Sequence, residues 1–250
     1  MKAAIRPSEY GRAGLIAVTT PQANPTVEQE LLALRPAGVS LVTARLFSAS
    51  PDPRRRLTDY LDELDETLAR FGRLAVDVYT FACTGSTYLR GHASERAKVA
   101  ELEARFGKPV ITAAAAIEAE LALAGATRIA VIAPYPDWLL AAGAAYWEGR
   151  GITITAADRV VLPSDDTNLI YTLGSQAALE RLRAMDLNGA EAVVFSGTGM
   201  PSLRALAAAR ELTGLPVLSS NLCLARAAGR IIGVAPVEDG PDFERRLASL

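Results

Sequence analysis

Histidine is nearly absent from this chain: there is one, His92, in 250 residues. That excludes a histidine-rich metal site and a Ser-His-Asp triad built on any other histidine. Cysteine is scarce too. Cys83 and Cys223 sit far apart in unlike contexts and make no metal-ligand spacing. So few thiols suit a reducing cytoplasm, and a cytoplasmic location is the expectation. No stretch of about 20 uncharged apolar residues occurs, so no membrane span is expected. Met1 to Gly14 carries Arg6, Glu9 and Arg12 and lacks the apolar core of a signal peptide. There is no long basic run. Lys and Arg total 26 against 28 Asp and Glu, a net charge of −2, so no nucleic-acid partner is expected.

The chain is instead rich in ordinary core material. Hydrophobic residues make up 50% and charged residues 22%, enough to fill a sizeable core in one large domain or two small ones. Short apolar runs alternate with longer amphipathic ones. Leu15–Thr19, Val39–Leu46, Leu74–Phe81, Pro109–Thr112, Arg128–Ile132, Ile152–Thr155, Ala192–Phe195 and Pro216–Leu218 read as strands. The clearest helical pattern places Leu57, Leu61, Leu64, Leu68 and Phe71 on one face. Ser94–Phe106, Ala114–Ala124, Trp138–Glu148, Gln176–Met185 and Ser202–Leu212 read as further helices. The alternation predicts an α/β fold with mostly parallel sheets flanked by helices, and ligands at the carboxyl ends of the strands.

The sequence also repeats itself. Ile16-Ala17-Val18-Thr19-Thr20-Pro21 resembles Ile129-Ala130-Val131-Ile132-Ala133-Pro134, an offset of 129 − 16 = 113. Phe81-Ala82-Cys83-Thr84-Gly85 resembles Phe195-Ser196-Gly197-Thr198-Gly199, offset 195 − 81 = 114. Gly107-Lys108-Pro109-Val110 resembles Gly214-Leu215-Pro216-Val217, offset 214 − 107 = 107. Three matches in one order predict two pseudosymmetric lobes with a cleft between them. The first spans residues 1–112 and the second 113–222, with 223–250 packing back on the first.

Both Phe-x-x-Thr-Gly elements end a strand and precede a helix. Thr84, Gly85, Ser86 and Thr87 offer hydroxyls and backbone amides, as do Ser196, Gly197, Thr198 and Gly199. Helix N-termini suit small anions such as carboxylates. Neither loop has the Walker or GxGxxG pattern, so a nucleotide site is not expected. Cys83, beside helix-opening amides, should have its thiolate stabilised, which makes it the candidate catalytic residue. The alternative is a small buried hydrophobe, and Cys223 reads better that way. On the residues alone, Asn24 and Asn168 read as caps, Tyr135 as either a turn aromatic or a site residue, and His92 as a solvated helix-start residue. The arginines at 54–56 read as a surface run.

These motifs together resemble one family. Phe81 to Gly91 is similar to the first thiol loop of the maleate cis-trans isomerase and arylmalonate decarboxylase group, within the aspartate/glutamate racemase superfamily. Pro21 to Glu28 resembles its first substrate loop, Ala133-Pro134-Tyr135 its tyrosine loop, and Ser196 to Leu203 its second thiol loop. Pro216 to Asn221 resembles a later strand end. The resemblance implies two α/β lobes, a site in the cleft, no metal and no organic cofactor. It implies a small dicarboxylic acid as substrate, with Asn24, Thr84, Gly85, Ser86, Tyr135, Asn168, Ser196, Gly197 and Thr198 as substrate contacts. A homo-oligomer is left open.

The sequence departs from the family at one point. Racemases and maleate isomerases of this kind have a cysteine in each loop, and arylmalonate decarboxylases have one, in the second loop. Here the first loop has Cys83 and the second has Gly197. One thiol can protonate the carbanion left after CO2 departs, so the expectation is a cofactor-independent decarboxylase of a substituted malonate-type diacid. Cys83 is then the acid. The alternatives are maleate isomerase-like or racemase activity, and a catalytically inactive dicarboxylate-binding protein.

Overall fold

The computed structural model describes residues 4–7 and 9–250. Residues 1–3 and 8, in the segment read above for a signal peptide, lie outside the described residues. Strands β1 (Gly14–Pro21), β2 (Val39–Leu46), β3 (Val78–Phe81) and β4 (Val110–Thr112) form one parallel sheet in the order β2-β1-β3-β4. Strands β5 (Arg128–Ala133), β6 (Thr153–Arg159), β7 (Ala192–Phe195) and β8 (Val217–Ser219) form a second parallel sheet in the order β6-β5-β7-β8. The two orders are the same once the offset is applied.

The repeat extends to register. In the first sheet Thr19 pairs with Phe81, and Phe81 with Thr112. In the second, Ile132 pairs with Phe195, and Phe195 with Ser219. Those are the residues 113, 114 and 107 positions on, the offsets seen in the sequence. Even the caps correspond. The Thr112 hydroxyl accepts from the amide of Ala115 at the start of α5 (Ala113–Ala124), and the Ser219 hydroxyl accepts from the amide of Leu222 in α9 (Ser220–Ile232). Phe81 and Phe195 are both fully buried, each contributing about 1.5–3 kcal/mol of hydrophobic stabilisation. Helix α5 packs on α9, and α9 also packs on β3, β4 and α1 (Thr26–Leu34). Arg226 of α9 joins Glu120 of α5 at 2.8 Å and Glu238 at 2.6 Å.

Some elements differ from their sequence expectation. The third strand begins at Val78 rather than Leu74. Leu74 forms only a single bridge with Ile5, and the Asp77 carboxylate takes the amide of Leu15. The sixth runs Thr153–Arg159, later than expected, because it is an edge strand paired with β5 as far as Arg159. The Leu57–Phe71 helix is broken at Glu63 into α2 (Pro53–Asp62) and α3 (Leu64–Ala69). All five of its apolar face residues are nevertheless buried. The helix expected from Ser94 starts earlier. Helix α4 (Thr84–Phe106) opens directly after Cys83 and kinks at Gly91, whose φ of 74° favours glycine. The remaining helices are α6 (Asp137–Glu148), α7 (Gln176–Arg183), α8 (Leu203–Thr213) and α10 (Gly240–Ala248). None of the described helices is long and apolar enough to cross a membrane.

Candidate active site in the cleft between the lobes

The carboxyl ends of β1, β3, β5 and β7 converge on one cleft. Its empty space is about 470 Å3, a figure that includes its open mouth. Asn24, Cys83, Thr84, Gly85, Tyr135, Gly197 and Thr198 line it together.

Cys83 follows β3 and occupies the N-cap position of α4 with an extended backbone. Its Sγ lies 3.0 Å from the Ser86 hydroxyl, and the amides of Gly85 and Ser86 also favour the thiolate. The sequence predicted a lowered pKa from those amides. The structure corrects this: burial outweighs them and pushes the thiol up, so Cys83 is held in its protonated form. Thr87 donates its hydroxyl to the Cys83 carbonyl at 3.1 Å and closes the first turn.

The second loop reaches across to the first. Thr198 donates its hydroxyl to the Ala82 carbonyl at 2.8 Å, one residue before the thiol. Asn24 does two things at once. Its Oδ1 accepts from the Thr26 amide at 2.8 Å, as a cap should, while its Nδ2 lies 3.5 Å from the Thr198 hydroxyl. Tyr135, after β5, shares a short hydrogen bond with the Thr84 hydroxyl and also bonds Ser196. Burial pushes its phenol well above the usual range, so it remains a neutral donor. Ser196 and Ser86 lie one step behind the cleft wall. Ser196 shares a hydrogen bond of 2.9 Å with the Tyr88 hydroxyl.

Gly197 stands where a second thiol would be, with φ of +124°. A Cβ there would lie 3.3 Å from the Tyr135 hydroxyl and 3.2 Å from Pro134 Cδ. The phenol therefore occupies the space beside the missing side chain.

Two sequence readings are corrected here. Asn168 does not reach the cleft. Its side chain is exposed, and its amide donates to Asp166 Oδ1 at 3.0 Å in the cap of a 3-10 turn, Thr167–Thr172. The turn instead offers Thr167, Ile170 and Tyr171. The arginines at 54–56 are not all surface. Arg56 is 7% exposed, lines the cleft and donates to the Thr167 hydroxyl at 3.0 Å. Its sequence signal was helical phase: Arg56 and Tyr60 are four residues apart and flank the buried Leu57 and Leu61. Tyr60, Leu57, Leu139 and Tyr171 were also missed, since they touch the cleft only through tertiary packing.

Cys223 and His92 lie elsewhere. Cys223 is fully buried in α9 and burial pushes its thiol far up. His92 packs edge-on against Tyr146, and burial lowers its pKa. Among the described residues, no cluster of three or more His, Cys, Asp or Glu could hold a metal ion.

The comparisons with known proteins agree on family and fold. Residues 19–241 match the family model described as arylmalonate decarboxylase. The chain is similar to the maleate isomerase of Geobacillus stearothermophilus, 29% identical over 226 residues, covering 85% of this chain and 88% of that one. The fold is shared with a mutant maleate isomerase from Pseudomonas putida S16 in complex with maleate. That match has a TM-score of 0.83 at 22% identity and covers 92% of this chain and 97% of the other. It is also shared with a mutant of the Nocardia farcinica maleate cis-trans isomerase carrying a covalently bound succinylcysteine intermediate. There the TM-score is 0.79 at 24% identity, covering 93% and 98% of the two chains.

Proposed function

The chain belongs to the arylmalonate decarboxylase family, and from that premise we propose that it is a cofactor-independent cis-trans isomerase of a small, maleate-like diacid. One observation carries this reading. The cleft holds a thiol together with two separate donors: the Arg56 guanidinium, held beside Thr167, and Asn24 Nδ2, held beside Thr198. A substrate that keeps both carboxylates needs two such anchors, while a malonate losing one as CO2 needs only one. The likeness to maleate isomerases supports the same reading.

The chemistry balances with a single thiol. Cys83 Sγ adds to one alkene carbon as its proton passes to a substrate carboxylate. The π electrons move onto the neighbouring carbon and its carboxylate as an enediolate. The former double bond is now single and rotates. The enediolate electrons then expel sulfur, which regains its proton, and the trans alkene remains. No second acid is consumed, so Gly197 is compatible with turnover. The Thr84 and Tyr135 hydroxyls share one hydrogen between them, and the hydrogen left over stabilises the enediolate, a preorganised donor contributing about 2.7–4 kcal/mol.

A second reading, decarboxylation of a substituted malonate, is favoured by a different observation. Cys83 is held neutral by burial, the form that protonates an enediolate after CO2 loss, and Leu57, Leu139 and Ile170 provide an apolar wall. Proton NMR in D2O separates the two. Maleate should give the fumarate resonance, abolished in Cys83→Ala. Loss of CO2 from a prochiral disubstituted malonate, with no change in maleate, would replace the first reading by the second. Turnover of neither would remove both.

A further inference from the structure

Glu30 is a carboxylate that the proposed chemistry does not use. It lies on α1 of the first lobe and is 3% exposed. Among the described residues, all of its hydrogen-bond partners belong to the second lobe. Its Oε1 accepts from the amides of Ser202 at 2.6 Å and Leu203 at 2.9 Å, at the start of α8. The Ser202 hydroxyl lies 3.2 Å from Oε2. Oε2 also accepts from Asn221 Nδ2 at 2.7 Å. The same Nδ2 donates to the Thr198 carbonyl at 3.0 Å. Thr198 in turn bonds the Ala82 carbonyl, next to the thiol. An unbroken series of bonds thus runs from Glu30 through Asn221 and Thr198 to the residue preceding Cys83.

We propose that Glu30 is a positioning residue: acting through Asn221, it fixes the Thr198 loop over Cys83. Asn221 has one buried carbonyl oxygen, Oδ1, with no partner among the described residues. Leaving an acceptor unpaired costs free energy. The amide tolerates it because the opposite orientation would set Oδ1 against the Glu30 carboxylate and the Thr198 carbonyl. Glu30 therefore dictates which way Asn221 faces, and Asn221 holds Thr198. Burying a carboxylate is costly, and burial pushes the Glu30 pKa up despite its four donor groups. A site built only for stability would do as well with an apolar contact.

The inference rests on the proposed turnover of a diacid, so its test includes a readout that needs no turnover. That readout is the rate of iodoacetamide alkylation at Cys83, followed by mass spectrometry of the Cys83 peptide. Asn221→Ala releases Thr198 but leaves Glu30 its α8 partners, so it should fold. It should alkylate about tenfold faster and lose about tenfold in kcat, with KM within about twofold. Glu30→Gln puts an NH2 against Asn221 and should force the amide to flip away from Thr198. The Glu30→Gln/Asn221→Asp pair restores donor to acceptor between positions 30 and 221, so denaturant stability should recover. It leaves an oxygen facing the Thr198 carbonyl, so fast alkylation and low kcat should persist. A wild-type alkylation rate in Asn221→Ala overturns the proposal. So does recovery of Cys83 protection together with stability in the double variant. If no diacid is turned over, the alkylation results still decide the positioning role, and only the functional reading falls.

Discussion

The two strand-end loops share a register and differ in how they use the helix that follows. After β3 the helix begins at once, and its first amides, of Gly85 and Ser86, turn to the Cys83 sulfur. After β7 the chain runs on through residues 196–202 before α8 begins. There the helix-opening amides of Ser202 and Leu203 go to Glu30, and the Gly197 amide goes to the Ser220 hydroxyl at 3.0 Å. A helix N-terminus carries partial positive charge in both places. One lobe directs it at the reacting group, and the other uses it to hold the lobes together. Duplication preserved the sheet down to its register, and the asymmetry arose from where the next helix starts.

Removing the thiol breaks the comparison most severely. Cys83→Ala should lower kcat/KM by more than about tenfold, over about 1.4 kcal/mol of transition-state stabilisation, with an unchanged circular dichroism spectrum. Retention of more than a tenth of the activity would mean that the first loop carries no essential sulfur. Arg56→Ala comes next, because it removes a cation from the cleft without touching either loop. A charged hydrogen bond contributes about 1.5–3 kcal/mol, so KM for a diacid should rise about tenfold or more. Steady-state kinetics check it, and an unchanged KM would remove Arg56 as an anchor.

Making the loops alike is the third test. Gly197→Cys would equip both loops with sulfur, but φ at 197 is +124°, a region that side chains rarely adopt. The backbone must shift away from Pro134 and Tyr135, at a cost of about 1–3 kcal/mol. The variant should melt at a lower temperature, and adding Tyr135→Phe, which removes the crowding hydroxyl, should recover part of the loss. Thermal denaturation reads both. A melting temperature equal to that of the original chain would show that the loop accepts a second thiol freely.

The sheets, the duplication and the thiol loop were legible because they depend on local pattern. Apolar runs mark buried parallel strands, and the repeated Phe-x-x-Thr-Gly marks equivalent strand ends. The rest of the site was not, for identifiable reasons. Arg56 sat in a run of three arginines that looks like solvated surface until its helical phase is compared with Leu57 and Tyr60. Asn168 carries a side chain suited to a carboxylate, yet the 3-10 turn presents Thr167 and Tyr171 to the cleft instead. The Cys83 pKa was read from the amides beside it, whereas its direction is set by burial, which depends on the folded surroundings. Glu30 showed no signal at all, since its partners are over 170 residues away.

The smallest effect separates the two cysteines. Both thiols are buried and both are pushed up, but their surroundings differ. Cys83 has the Ser86 hydroxyl and two amides drawing its pKa back down. Cys223 has no such donors among the described residues, and the Glu120 carboxylate raises it further against the opposing pull of Arg226 and Arg230. In the unfolded chain a thiol titrates near ~8.5. The unfolded state therefore loses its proton first as pH rises. The Cys223 contribution to stability is whole below about pH 8.5 and declines above it. Cys223→Ala should leave kcat/KM within about twofold, because the side chain does not reach the cleft. It should also flatten the loss of denaturant stability between about pH 7.5 and pH 9.5. Iodoacetamide should label Cys83 at a lower pH than Cys223, since the reacting species is the thiolate. Equal alkaline losses in the two proteins, or Cys223 labelling first, would show that the helix-opening amides do not distinguish the two sulfurs.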